Sequence, residues 1–99
     1  MEDNYPTEEE LQKIEAWDCL TPQGAAACMQ FVASLWMWPD WGWKEEAKND
    51  GELWYYISTG GWSGNESLIS AMEKNQFLWI HAWYSSRVGG HYEFRLKVL

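Results

Sequence analysis

The sequence predicts an α+β domain in which two N-terminal helices precede β-β-α-β-β and pack on a small, mostly antiparallel sheet. Three observations predict it. Helix-start signals stand at Thr7 and Thr21, each ahead of apolar residues at helical spacing. Further along, segments of strand length are apolar or alternate in polarity. Finally, 99 residues, 46 % of them hydrophobic, leave room for one core and no second.

Residues 1–6 read as a flexible polar tail ahead of that single domain. Thr7-Glu8-Glu9-Glu10 has the form of a capping box, and Leu11, Ile14 and Trp17 continue it as a helix over 8–18. Thr21-Pro22 opens a second helix over 22–37, with Ala25, Cys28, Met29 and Val32 on one face. Pro39 stops it. Residues 41–47 suggest an edge strand, and Lys48-Asn49-Asp50-Gly51 a hairpin turn. Strand 52–58 alternates Leu53, Tyr55 and Ile57 against Trp54, Tyr56 and Ser58. Ser63 and Glu66 suggest another capping box, for a helix over 65–74 that Asn75 closes. Residues 77–85 are apolar on both faces, the pattern of a covered central strand. Residues 91–98 alternate Tyr92, Phe94, Leu96 and Val98 with His91, Glu93, Arg95 and Lys97.

Net charge is −8, and residues 1–20 alone carry seven acids against one base. Such a chain repels phosphate backbones, so direct nucleic-acid binding is not expected. The acids read as a solvated face, or as bait for a basic partner. No apolar run reaches the ~18 residues of a membrane span, and acidic Met1-Glu2-Asp3-Asn4 does not resemble a signal peptide. The expectation is a cytoplasmic protein without membrane association. Cys19 and Cys28 have neither CxxC spacing nor a neighbouring histidine, so they read as reduced thiols and not as a metal site. No cofactor is expected.

Nine tryptophans are several times ordinary usage. Trp36, Trp54, Trp79 and Trp83 occupy periodic positions and read as core. Trp38, Trp41 and Trp43 straddle a turn and cannot all be buried, which suggests a partner surface or a homo-oligomer interface.

The candidate site follows from topology. If strand 52–58, helix 65–74 and strand 77–85 form a β-α-β unit, both strands end at one sheet edge, where such units place ligands. Two glycine-rich segments would meet there. The first is Thr59-Gly60-Gly61-Trp62-Ser63-Gly64-Asn65-Glu66, with the free N–H groups of a helix N-terminus. The second offers Arg87, Gly89, Gly90, His91 and Tyr92. Arg87 can grip a phosphate or carboxylate, while Trp62 and Tyr92 could stack on a base. Ordinary turn geometry also accounts for each glycine segment taken alone. Neither GxxxxGK[ST] nor GxGxxG is present, and Asn65 spoils GxSxG around Ser63, so no enzyme is expected.

The same two segments, TGGWSGNE at 59–66 and RVGGHYEF at 87–94, resemble a family of small proteins encoded by phages and prophages. The likeness spans roughly residues 36–96. It implies a phage or prophage origin and an accessory role against host defences. Two readings follow. One is a binder that sequesters a small anionic, nucleotide-like ligand of host immunity. The other is an acidic, Trp-rich inhibitor of a host defence protein, acting through residues 1–20 and 38–43 as a nucleic-acid mimic.

The first reading treats the N-terminal acids as solubilising. Replacing Glu8 and Glu9 by Gln should then cost a few tenths of a kcal/mol in chemical denaturation, through weaker dipole complementarity. Loss of a protein partner in pull-downs with that variant would speak for the inhibitor.

Overall fold

A computed structural model describes residues 5–48 and 51–97. The N-terminal half holds α1 (Glu8–Glu15), α2 (Pro22–Leu35) and a single helical turn, α3 (Pro39–Gly42), followed by β1 (Trp43–Ala47) and β2 (Glu52–Ser58). The C-terminal half holds α4 (Ser63–Lys74), α5 (Gln76–Ala82), β3 (Trp83–Arg87) and β4 (His91–Lys97). The four strands form one sheet in the order β1-β2-β4-β3, and every neighbouring pair is antiparallel. The architecture is the predicted α+β class, with helices packed on a small sheet.

Local chemistry explains most boundaries. Thr7 and Glu10 form the reciprocal capping box of α1, at 3.1 and 2.8 Å. Thr21 caps α2 by accepting a bond from the Gly24 amide at 3.0 Å. The two helices end three and two residues before the predicted ends at 18 and 37. Trp36 leaves α2 in extended conformation, is buried, and donates its indole N–H to the Ser58 carbonyl at 3.3 Å. Strand 41–47 is shorter than expected because α3 occupies its first residues. The expected turn at 48–51 falls partly on residues 49 and 50, which lie outside the described residues, as does Val98.

The largest correction concerns residues 77–85. They are not a central strand but α5 followed by the edge strand β3. Leu78 and Ala82, four apart, are buried, whereas Phe77 and Ile80 are 53 % and 75 % exposed. An apolar run read as two covered faces is thus a helix with one covered face; periodicity alone does not separate the two. Asn75 decides it. Its Oδ1 accepts a bond from the Leu78 amide at 3.1 Å and so starts α5. Its Nδ2 donates to the Ile14 and Trp17 carbonyls at 2.9 and 3.0 Å. One buried amide therefore satisfies backbone groups at the end of α1 and at the start of α5.

The central strands are β2 and β4. Tyr55, Ile57, Phe94 and Leu96 face the helices and share one core with Ile14, Met29, Val32, Leu68, Met72 and Leu78. Among the described residues neither the N-terminal pair α1 and α2 nor α4 and α5 covers the opposite sheet face, which carries Trp54 outside the core. Trp83 is 42 % exposed, and Trp79 is half-buried against Phe94. Cys19 and Cys28 are free and buried, and burial raises the pKa of both thiols. Among the described residues no helix is long and apolar enough to cross a membrane, and no group of His, Cys, Asp or Glu could hold a metal.

The Tyr55 hydroxyl is buried without a hydrogen-bond partner among the described residues. Burial, reinforced by Glu45, raises its pKa, so it stays neutral. An unpaired buried hydroxyl costs roughly 1–3 kcal/mol. Tyr55→Phe should therefore leave the denaturation midpoint unchanged or raise it, by about 1 kcal/mol in stability. A loss of comparable size would show that the hydroxyl is used.

Candidate functional site

The strands β2 and β3 are not neighbours, because β4 lies between them. Two antiparallel steps nevertheless leave β2 and β3 pointing the same way, so their carboxyl ends share a sheet edge. Ser58 and Arg87 both pair with His91 in register. The two glycine segments meet there by a route other than the expected parallel pairing.

The junction is tight. The Thr59 amide donates to the Gly90 carbonyl at 3.0 Å. Thr59 is 1 % exposed, and its Oγ1 accepts a bond from the Gly61 amide at 3.3 Å. Gly90 has φ +80°, and the space a Cβ would need there is filled by Thr59 Oγ1. Beside it, Ser58 Oγ and His91 Nδ1 are 2.6 Å apart.

The predicted site residues divide at this junction. Asn65 is fully buried and fully used. It accepts a bond from the Met37 amide at 2.9 Å and donates to the Met37 and Thr59 carbonyls at 3.1 and 3.2 Å. The α4 N-terminus is not open to a ligand: the Trp62 ring lies on Gly64, and the Tyr5 ring packs on Trp62 with centroids 4.8 Å apart. No Ser63–Glu66 capping box forms. Trp62 is the N-cap and makes no side-chain cap bond; Ser63 is hydrogen-bonded to the Tyr5 hydroxyl, and Glu66 is exposed. Tyr92 stacks on Phe94 on the helix-facing side of β4 and also borders the cleft beside His91. Burial, reinforced by Glu73 and Glu66, raises its pKa. Gly60, Gly61 and Gly89 supply positive φ. Arg87 and His91 remain on the open side, where Arg87 meets Glu93 at 3.5 Å.

What the structure adds is a cleft of about 420 Å³ at this corner of the open sheet face. Arg87, His91, Tyr92, Ser58 and Glu93 line it from β2, β3 and β4, with Trp41, Lys44, Tyr56 and Ile57. Lys44 pairs with Tyr56 in register, so strand alternation puts both on the open face. Lys44 and Arg87 outweigh the Glu93 carboxylate, which gives a local positive excess in an acidic protein. Next to it, Trp38 and Trp41 flank Gly60 and wall an apolar hollow of about 500 Å³. A Cβ on Gly60 would meet the Trp41 and Trp38 rings at 3.1 and 3.3 Å. Trp41, 66 % exposed, therefore lines both spaces. Sequence reasoning missed Lys44, Tyr56, Ser58 and Glu93 as cleft residues, and placed Trp41 in a partner surface apart from the glycine segments. The signal for Lys44 lay in alternation: a strand paired to 52–58 must place some residue beside Tyr56.

Fold and site together define an α+β protein with helices on one face of a four-stranded antiparallel sheet and a cationic, aromatic cleft at one edge. No family model, no curated protein and no solved structure matches the chain.

The two glycines at the junction should respond differently to Ala. Nothing lies within 4 Å of a Cβ at Gly61, so Gly61→Ala carries only the left-handed backbone cost of ~1–2 kcal/mol. Gly90→Ala adds a collision with Thr59 and should cost at least ~1 kcal/mol more. Urea denaturation of the two variants checks the ranking; equal losses would show that the junction yields.

Proposed function

We propose that the protein binds a small anionic, nucleotide-like molecule in the cleft at Lys44, Arg87 and His91. One observation carries the reading. The cleft combines two cationic side chains and a Ser58–His91 pair with the faces of Trp41 and Tyr56. Cations compensate phosphate or carboxylate charge, and aromatic faces accept a base. The Trp38–Trp41 hollow next to it suits the apolar part of the same molecule. Among the described residues no third side chain is hydrogen-bonded to His91 of the Ser58–His91 pair, and the reading taken is binding. Joined to the phage resemblance of segments 59–66 and 87–94, it becomes sequestration: a phage-encoded accessory protein in the host cytoplasm that removes a nucleotide-like signal of host immunity.

A second reading is favoured by one feature. Trp38 is 50 % exposed beside Trp41 and Asp40, which suits an inhibitor covering a host protein. The two readings separate by mutation. Arg87 is mostly exposed and partly neutralised by Glu93, so its contact with an anion lies at the low end for charge-assisted bonds. Arg87→Ala and Lys44→Ala should each weaken a nucleotide about tenfold, or ~1.4 kcal/mol, with an unchanged fold. Isothermal titration with linear and cyclic nucleotides measures this. Absence of heat across the panel, with a host protein lost on Trp38→Ala, would replace the first reading by the second.

A further inference from the structure

The −8 net charge conceals a separation of charge. The sheet face away from the helices carries Lys44, Lys48, Arg87, Arg95 and Lys97, five of the seven Lys and Arg residues. Among the described residues its acids are Glu46, Glu52 and Glu93. That face is net +2, and the other described residues are net −7. Exposed acids more than a Debye length of ~8 Å from a ligand on the sheet are largely screened from it at physiological salt. Net charge alone, which argues against any phosphate backbone, averages over two unlike surfaces.

The same face carries an aromatic cluster that the core does not use. Trp54 and Tyr56 lie nearly parallel, at 12° with centroids 6.2 Å apart. A β-bulge at Tyr84 turns that ring onto Trp54, at 4.8 Å, and leaves Tyr84 half exposed. Lys48 lies 4.5 Å from the Trp54 ring centre, and Arg95 lies 5.7 Å from it and 5.4 Å from that of Tyr84. Both cations are on long exposed stems, free to move to a phosphate while the rings stay. The cluster is continuous with the cleft, because Tyr56 belongs to both.

We infer that this open face is a stacking platform for a short single-stranded oligonucleotide, one nucleotide of which occupies the cleft at Lys44 and Arg87. The inference rests on the proposed anion reading of the cleft and extends its ligand from one nucleotide to several. Sheet aromatics accept bases by their faces without sequence preference, and flanking Lys and Arg follow the backbone. Trp54, Tyr56 and Tyr84 give room for roughly two or three bases. A duplex, with its bases stacked inside, offers the rings nothing.

The test is a length series. Unlabelled oligothymidylates of one, two, four and eight nucleotides compete against a fluorescent four-nucleotide strand, read by anisotropy. Affinity should rise at least about tenfold from one nucleotide to four, since each stacked base contributes that order of gain. Tyr84→Ala and Trp54→Ala should remove most of the rise and leave the one-nucleotide affinity as it was. Arg87→Ala should lower affinity at every length. Should Trp54→Ala lose its cooperative melt, the half-exposed Tyr84 carries the test alone. Equal affinity for one and four nucleotides overturns the platform and leaves the cleft reading standing. Equal competition by heparin or by a duplex of the same length overturns it too, by showing charge without stacking. No binding at any length overturns both.

Discussion

Thr59 meets Gly90 with no space between them for a Cβ, and the open edge of the sheet depends on that contact. It holds the end of β2 against the start of β4. Through the shared partner His91 it also holds the end of β3. Without it the loop before α4 and the turn after β3 would be two separate glycine turns. With it, Ser58, Arg87 and His91 converge on one corner, and β1 adds Lys44 through ordinary antiparallel register. The glycines at 89 and 90 are there because both take positive φ, and Gly90 also because Thr59 fills its side-chain space.

A second constraint acts on the other face of the sheet. Tyr55, Ile57, Phe94 and Leu96 are covered by the helices, and alternation then fixes what the uncovered face can hold. Each neighbour of a buried residue in β2 and β4 must point outward. Those neighbours are Trp54, Tyr56, Ser58, Glu93, Arg95 and Lys97. Rings on an uncovered face do not add to the core. Part of their apolar surface is covered by the stems of Lys48 and Arg95, cation–π contacts worth about 0.5–1 kcal/mol each at exposed sites. The same arrangement that limits their contribution to stability keeps their faces within reach of a ligand.

The sequence made both N-terminal helices legible through their caps, and strands 52–58 and 91–98 through alternation. The fold class followed from them. Residues 77–85 were misread because seven apolar or aromatic residues between Asn75 and Ser85 satisfy two periods at once. The sign that favours a helix is Asn75, and reading it requires knowing that its amide caps Leu78 and ties down the end of α1. The shared sheet edge was nevertheless foreseen, from a parallel β-α-β pairing that does not exist. Direction survived the error: inserting β4 reverses the chain twice, so β2 and β3 end on the same side. Of the residues singled out from sequence, Arg87, His91 and Tyr92 line the cleft. Trp62 does not, because a sequence shows an aromatic ring without showing what packs on it, here Gly64 and Tyr5. Lys44 was out of view because its place depends on cross-strand register.

Asn65 joins these parts. Within TGGWSGNE it reads as a ligand contact, yet its side chain is spent on protein. It holds both backbone groups of Met37, the residue before Trp38, and the carbonyl of Thr59. Trp38 has φ +61°, a left-handed conformation that costs a bulky residue roughly 1–2 kcal/mol. Such a conformation persists only where the neighbouring chain is fixed. Asn65 fixes it on one side and Pro39, at the first position of α3, on the other. The Trp38 ring is thereby laid against Gly60 opposite Trp41. The motif thus acts on the surface at one remove: its buried amide orders the tryptophan pair, and Thr59 orders the Ser58–His91 corner. Arg87, Lys44 and Trp41 are left as the groups that a ligand would meet.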